Sequence, residues 1–270
     1  MTDNPLLAHW RLDRMPFGKD IPQDRLAHHK TFDQAVARIR FAVAQRHIAV
    51  LAGETGAGKT LAVKTALTGL EPARHLPIYI PDPSWGVRGV HTAVVEALGA
   101  RPPHSSNAKA RLAASLLQSE LDERGRLPVL IVDEAHLLDN RDLEGLRLLT
   151  NTDMDTATSF ALILIGQPAL RRRLRLAVLQ ALDQRVATRC TLNGMTSAET
   201  RDYIARHLAW AGRDQPLFAD DAADLIGQAA RGLPRAVNNL ALAAMIAAYA
   251  DRKALVDHTS AQAAIAENND

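Results

Sequence analysis

Residues Gly53-Glu54-Thr55-Gly56-Ala57-Gly58-Lys59-Thr60 fit the pattern G-x-x-x-x-G-K-[ST] and directly follow a short apolar run, Ile48-Ala49-Val50-Leu51-Ala52. An apolar strand, a glycine-rich turn and a helix in that order confine the chain to an α/β fold built around phosphate binding. Glycine at 53, 56 and 58 lets the backbone turn tightly and aim several N–H groups at phosphate oxygens, with no Cβ in the way. The helix that starts near Lys59 adds its positive end. Lys59 supplies a point charge for the β and γ phosphates, and Thr60 offers a hydroxyl to Mg²⁺. The stretch from Gly53 through Leu61 is therefore the expected nucleotide-binding loop, with ATP and Mg²⁺ as the expected cofactors.

A second motif supports the first. Val129-Leu130-Ile131-Val132 is a continuous apolar run, the signature of a strand buried on both faces, and it ends in Asp133-Glu134. This is a Walker B pattern. Asp133 at the strand's carboxyl end is placed to hold Mg²⁺, and Glu134 to polarise the water that attacks the γ phosphate. ATP hydrolysis to ADP and phosphate is the expected activity.

The chain has 270 residues, 47% of them hydrophobic. That allows one full α/β core and a smaller appendage, not two nucleotide-binding domains. No apolar stretch reaches the roughly 18 to 20 residues that span a bilayer, and Met1-Thr2-Asp3-Asn4 lacks the basic start of a secretory signal. A soluble, cytoplasmic protein with no membrane partner is expected. Cys190 stands alone, so it reads as a core residue, and His28-His29 has no second ligand pair at metal spacing. A net charge of +2 does not by itself announce nucleic acid. Arginine greatly outnumbers lysine, with an excess of alanine beside it, which points to a compositional bias of the source genome.

Along the chain, residues 1–30 hold Pro5, Pro16 and Pro22 with scattered apolar residues such as Trp10 and Phe17, and read as an ordered arm. Residues 31–195 read as the nucleotide-binding α/β domain. Thr31-Phe32-Asp33-Gln34 has capping-box form ahead of a helical stripe through Val36, Ile39 and Val43. Strands are expected at His75–Ile80, Val129–Val132, Thr158–Ile165 and Val186–Leu192, with helices at Leu61–Leu70, Val90–Leu98 and Ala108–Arg124. Alternating strands and helices imply a parallel sheet with right-handed crossovers. From residue 196 to 270 the pattern is helical only: a capping box at Thr196-Ser197-Ala198-Glu199, a stop at Gly212, and further helices at Asp220–Ala230 and Pro234–Tyr249.

The order of these motifs resembles the AAA+ ATPases. The segments MPFGKD, GETGAGKT, IVDEAHLL, LIGQP, LDQR and GLPRAVNNLALAA are similar to the branch that holds ExeA-type secretion ATPases and transposition ATPases of the TnsC, TniB and Mu B kind. The resemblance implies a five-stranded parallel P-loop NTPase sheet flanked by helices, with a small C-terminal helical lid. It also implies that Gln167, after the fourth strand, senses the γ phosphate, although an amide of this length replaces the more usual Asn. Arg185, before the fifth strand, takes the place of the arginine that reaches a neighbouring subunit's nucleotide, with Arg189 the nearest competitor. Arg235 takes the place of the second sensor.

DEAH at Asp133–His136 matches the signature of DEAH-box helicases, a reading that fails on length because such helicases need a second motor domain. His136 reads as a polar helix-start residue or as a relay from the γ phosphate. A DNA-facing surface would carry Arg88, Arg101, Lys109 and Arg111, with Trp85 stacking or anchoring nearby. Arg171-Arg172-Arg173-Leu174-Arg175 reads as a helix, with Leu170, Leu174 and Val178 as its apolar side and a solvated charged face.

The function that the resemblance implies is an ATP-dependent homo-oligomer, ring or filament, on double-stranded DNA that assists a DDE-type transposase. An ExeA-type secretion ATPase is the alternative, disfavoured because the chain stops at Asp270 without that type's extensions. A nucleotide-gated scaffold with little hydrolysis is the third reading.

Overall fold

Three of the five strands are buried at every position: β1 (Ile48–Gly53), β3 (Leu127–Val132) and β4 (Ala161–Gly166). Continuous apolar runs such as Val-Leu-Ile-Val and Ala-Leu-Ile-Leu-Ile can only be satisfied at the centre of a sheet covered on both faces. The two outer strands alternate instead. In β2 (His75–Ile80), Ile78 and Ile80 are buried and Tyr79 is not; in β5 (Val186–Leu192), Val186, Thr188, Cys190 and Leu192 are buried between exposed Ala187 and Arg189. All pairings are parallel, in the order β2-β3-β4-β1-β5. The computed structural model describes residues 4–18, 21–22, 27–151 and 158–269. The chain start Met1-Thr2-Asp3 and the Lys19-Asp20 pair of the MPFGKD segment lie outside the described residues.

The chain divides into two compact units. The sheet unit comprises residues 33–55 and 59–192, with helices α3 (Lys59–Thr68), α4 (Gly86–Ala97), α5 (Ser106–Asp122), α6 (Asn140–Leu149), α7 (Pro168–Leu174) and α8 (Gln180–Arg185). Helix α2 (Lys30–Ala44) leads into it. Its core sets Leu130, Val132, Leu162 and Leu164 against Val90, Val94, Leu143 and Leu146. Helix α7 ends at Leu174, shorter than the arginine-rich run implied, because Arg175 caps it and Leu176 turns extended. Val178 is left exposed, and the run is not simply solvated. Arg171 donates to Thr191 Oγ1 at 2.8 Å, and Arg173 donates to the carbonyls of His136 and Leu138.

The helical unit holds the residues up to Phe32, residues 56–58 and residues from Asn193 onward. It contains α9 (Ser197–Trp210), α10 (Asp220–Ala229), α11 (Pro234–Ala250) and α12 (His258–Asn269). The Thr196 capping box forms as expected: Thr196 Oγ1 accepts from the Glu199 N–H and the Thr196 N–H donates to Glu199 Oε2. The Thr31 box does not form. Helix α2 already begins at Lys30, and the Thr31 hydroxyl lies 3.1 Å from His29 Nδ1 instead. The arm is built into this unit: α1 (Pro5–Trp10), capped by Asn4, brings Leu6 and Trp10 into the same core as Leu12 and Phe17.

Phe17 stacks on His207, whose Nδ1 meets the Pro16 carbonyl at 2.8 Å, so the Met-Pro-Phe segment is fastened by a buried imidazole. Burial lowers the His207 pKa, opposed by the hydrogen bond to Pro16. The unfolded chain takes up this proton below its ordinary pKa of about 6.5, where the folded one resists it. The stability contributed is therefore complete above about pH 6.5 and is lost as the pH falls below it. The urea midpoint should drop between pH 7.5 and pH 5.5, and less so in His207→Gln. Equal drops in both proteins would refute the assignment.

Candidate nucleotide site

The carboxyl ends of three adjacent strands bring the expected residues of the sheet unit to one edge. The register pairs Ala52 with Gly166 and Val132 with Leu164, so Gly53, Asp133 and Gln167 leave the sheet on the same side. Crevices at this edge, where connections diverge to either side of a strand, are where open α/β sheets bind ligands. The loop follows β1 without a break. Gly56 and Gly58 adopt φ of 82° and 91°, a left-handed region that side chains disfavour, and this explains the glycines. Glu54 and Thr55 are exposed and Ala57 is buried.

Lys59 is buried, and its Nζ donates to the carbonyls of Gly53 and Glu54, each at 3.0 Å. An ammonium kept this dry is held by its own loop at the first turn of α3, the turn whose N–H groups favour an anion. Leu61 continues that helix. Residues 56–58 cluster with the helical unit. There the Arg235 N–H donates to the Gly56 carbonyl at 3.3 Å, and a Cβ on Gly56 would stand 2.9 Å from the Arg235 Cβ. Pro234 and exposed Arg235 open α11.

Asp133 is buried and its carboxylate is fully engaged. Oδ2 accepts from Thr60 Oγ1 at 2.8 Å and from the Tyr79 hydroxyl at 2.9 Å, while Oδ1 accepts the Glu134 N–H at 2.8 Å. Burial, followed by the bond to Asp133, pushes the Tyr79 pKa up to about 12, so this phenol remains a donor. Thr60 and Asp133 are hard oxygen donors in contact. Together with phosphate oxygens and water they suit Mg²⁺, which takes few protein ligands. No cluster of three or more His, Cys, Asp or Glu residues suited to a metal occurs among the described residues. The residues present thus fit Mg²⁺ with a triphosphate.

Glu134 adopts φ 49°, ψ 32° at the start of a 3-10 turn, Ala135–Leu137. A non-glycine residue held in that region is strained, and such strain concentrates at functional sites. His136 Nδ1 lies 3.2 Å from Glu134 Oε2 and 3.5 Å from the Gln167 N–H, so this imidazole adjoins both candidates. Gln167 caps α7. Arg185 ends α8 and donates from Nη1 to the hydroxyl of buried Thr150 at 2.9 Å. Arg189 is engaged with the Asp183 carboxylate at 2.9 Å. Burial raises the Cys190 thiol pKa, which leaves it an inert core residue.

A groove of about 650 Å³ at β2 is lined by Tyr79, Asp82, Trp85, Arg88, Glu96 and Lys109 among others. Trp85 is 85% exposed, so it is not a buried anchor. The structure brings Arg88 and Lys109 to this groove. Arg101 and Arg111 are exposed outside its lining. Sequence reading missed Tyr79, which it took only as a strand residue, and also Asp142, whose Oδ1 accepts the Val87 N–H at 2.8 Å and so fastens the start of α4. Alternation in β2 signals an outward Tyr79, but nothing local signals its partner 54 residues away.

Residues 43–174 match the AAA domain family. General secretion pathway protein A of Aeromonas hydrophila is 33% identical over 204 residues, which are 74% of this chain and 37% of that protein. The chain thus spans little more than a third of this relative's length. Among solved structures, Drosophila ORC bound to DNA aligns with a TM-score of 0.69 at 17% identity, covering 100% of this chain and 67% of the other. The Aeropyrum pernix ORC1 protein in complex with DNA gives 0.67 at 20% identity, covering 94% and 69%. At these identities the likeness speaks for the fold alone. No helix among the described residues is long and apolar enough to cross a membrane.

Proposed function

We propose that this chain, which has the AAA+ P-loop NTPase fold and matches the AAA domain family over residues 43–174, binds and hydrolyses ATP with Mg²⁺ and uses that cycle to assemble on duplex DNA. The observation that carries the reading is the meeting of Lys59, Thr60, Asp133, Glu134 and Gln167 at one edge of the sheet, with Thr60 bonded to Asp133. Lys59 and the N–H groups of residues 56–60 bind the phosphates. Thr60 and Asp133 would hold Mg²⁺, which would supply neutralising charge to the phosphates there. Glu134 accepts the proton of the attacking water, Gln167 donates its amide to the γ phosphate, and Arg235 is assigned the role of second sensor. Arg185 is assigned to the nucleotide of an adjoining subunit, which makes turnover depend on assembly.

For DNA the support is the groove. Arg88 and Lys109 offer salt-dependent phosphate contacts beside Asp82 and Glu96, exposed Trp85 is placed to wedge at a groove, and Arg101 and Arg111 are assigned further phosphate contacts. Two structurally similar proteins were solved with DNA. Service to a transposase rests on the GLPRAVNNLALAA-type segments alone. A secretion-associated role is the second reading, favoured by the 33% identity to General secretion pathway protein A.

ATP turnover measured with and without duplex DNA separates them. Stimulation by DNA is expected. Reversing Arg88 and Lys109 to Glu should weaken duplex binding, lower the salt dependence by about one unit of slope per lost phosphate contact, and leave ATP affinity unchanged. Turnover indifferent to duplex would favour the secretion reading. Unchanged duplex affinity in the double reversal would move the DNA surface elsewhere.

A further inference from the structure

Tyr79 occupies an exposed position of an edge strand, where a short polar or β-branched side chain would suffice, yet it is an aromatic residue 49% exposed to solvent. Its two ends do different things. The ring lines the groove beside Trp85 and Arg88, and the hydroxyl donates to Asp133 Oδ2 at 2.9 Å. The same oxygen accepts from Thr60 Oγ1, whose oxygen is itself one that Mg²⁺ needs. Thr60 keeps its O–H when its oxygen serves the metal, so Tyr79 is the second side-chain donor that fixes the orientation of this carboxylate, and the one that reaches it from the groove. The Glu134 N–H fixes its other oxygen.

The groove is tied to the same strand end by a second route. Helix α4, which carries Arg88 and begins after Trp85, is fastened at its first turn by Asp142. Asp142 also closes the capping box of α6, the helix that follows the Asp133-Glu134 turn.

We propose that Tyr79 is a positioning residue for the Asp133 carboxylate, and that duplex DNA seated in the groove acts on the Mg²⁺ site by bearing on the Tyr79 ring. This rests on the DNA reading of the groove given above. The occupant is taken as the phosphate backbone of a duplex, met by Arg88 and Lys109 in a groove whose lining also carries Asp82, Glu96 and the exposed aromatic residues Tyr79 and Trp85. A partner that hydrogen-bonds a metal ligand orients it, and its loss costs about 10- to 100-fold in metal affinity.

Tyr79→Phe keeps the ring and removes only the hydroxyl. The readout is binding of a fluorescent, non-hydrolysable ATP analogue titrated with Mg²⁺, with and without a saturating blunt duplex. Duplex affinity is followed separately by anisotropy. In Tyr79→Phe the Mg²⁺ needed for half-saturation should rise about 10- to 100-fold while duplex affinity holds, and that midpoint should no longer respond to duplex. In the wild type it should respond. An unchanged Mg²⁺ midpoint in Tyr79→Phe, with or without duplex, overturns the positioning role. A wild type that binds no duplex overturns the DNA reading and the coupling with it, while the Mg²⁺ titration still decides the role of Tyr79. A wild type that binds duplex with no shift in its midpoint overturns the coupling alone. An unchanged urea midpoint in Tyr79→Phe excludes unfolding as the cause of any shift.

Discussion

Glu134→Gln is expected to retain ATP and to lose turnover by about 10²- to 10⁴-fold, the usual contribution of a positioned general base. Gln has the same size and can occupy the same strained backbone, φ 49°, so the turn to Ala135–Leu137 persists. Its amide oxygen is a far weaker base than a carboxylate. Lys59, Thr60 and Asp133 stay as they are, so the phosphates and Mg²⁺ keep their ligands. With ATP bound and not consumed, any assembly that depends on the triphosphate should accumulate. Sedimentation in ATP should then show a larger and longer-lived species than the wild type gives. Ordinary hydrolysis by this variant would remove Glu134 from the proposed catalytic role and leave His136, at 3.2 Å, as the base to test next.

The parts legible in the sequence are those whose cause is local. Gly56 and Gly58 announce their own positive φ, and the buried runs of β1, β3 and β4 announce their place in the sheet centre, because the chemistry sits in consecutive residues. The order β2-β3-β4-β1-β5 was not legible, since it depends on strands that are remote along the chain. Helix α12 went unread because its buried side is made of Ser260, Ala261 and Ala264, too small to form a visible apolar stripe. Helix α1, at six residues, is too short for a period to show.

At the site, Asp133 and Thr60 could be assigned from motif position. That Tyr79 shares the same oxygen requires the pairing of Tyr79 with Ile131 across the sheet. The arginine run misled for a related reason. Its charges look solvated in sequence, yet Arg171 and Arg173 satisfy acceptors on β5 and on the segment after β3.

Arg185→Ala is expected to lower turnover by about 10³- to 10⁵-fold if its guanidinium stabilises charge on a neighbour's γ phosphate, the range seen for arginine fingers. Within its own subunit this guanidinium donates to Thr150 Oγ1, and the Thr150 hydroxyl donates in turn to the Arg147 carbonyl. Loss of the Arg185 bond alone removes about 1 kcal/mol, and thereby predicts a small fall in stability with turnover nearly intact. The two roles separate by complementation. Arg185→Ala retains Glu134, and Glu134→Gln retains Arg185, so each is inactive alone for a different reason. In an equimolar mixture, a subunit of the first kind can borrow the arginine of the second, and about a quarter of the sites become complete if fingers act across an interface. Recovery to that level places the arginine in trans and shows that the Arg185→Ala protein is folded. A mixture as inactive as its components would confine Arg185 to its own subunit and direct the search to Arg189, which Asp183 now holds.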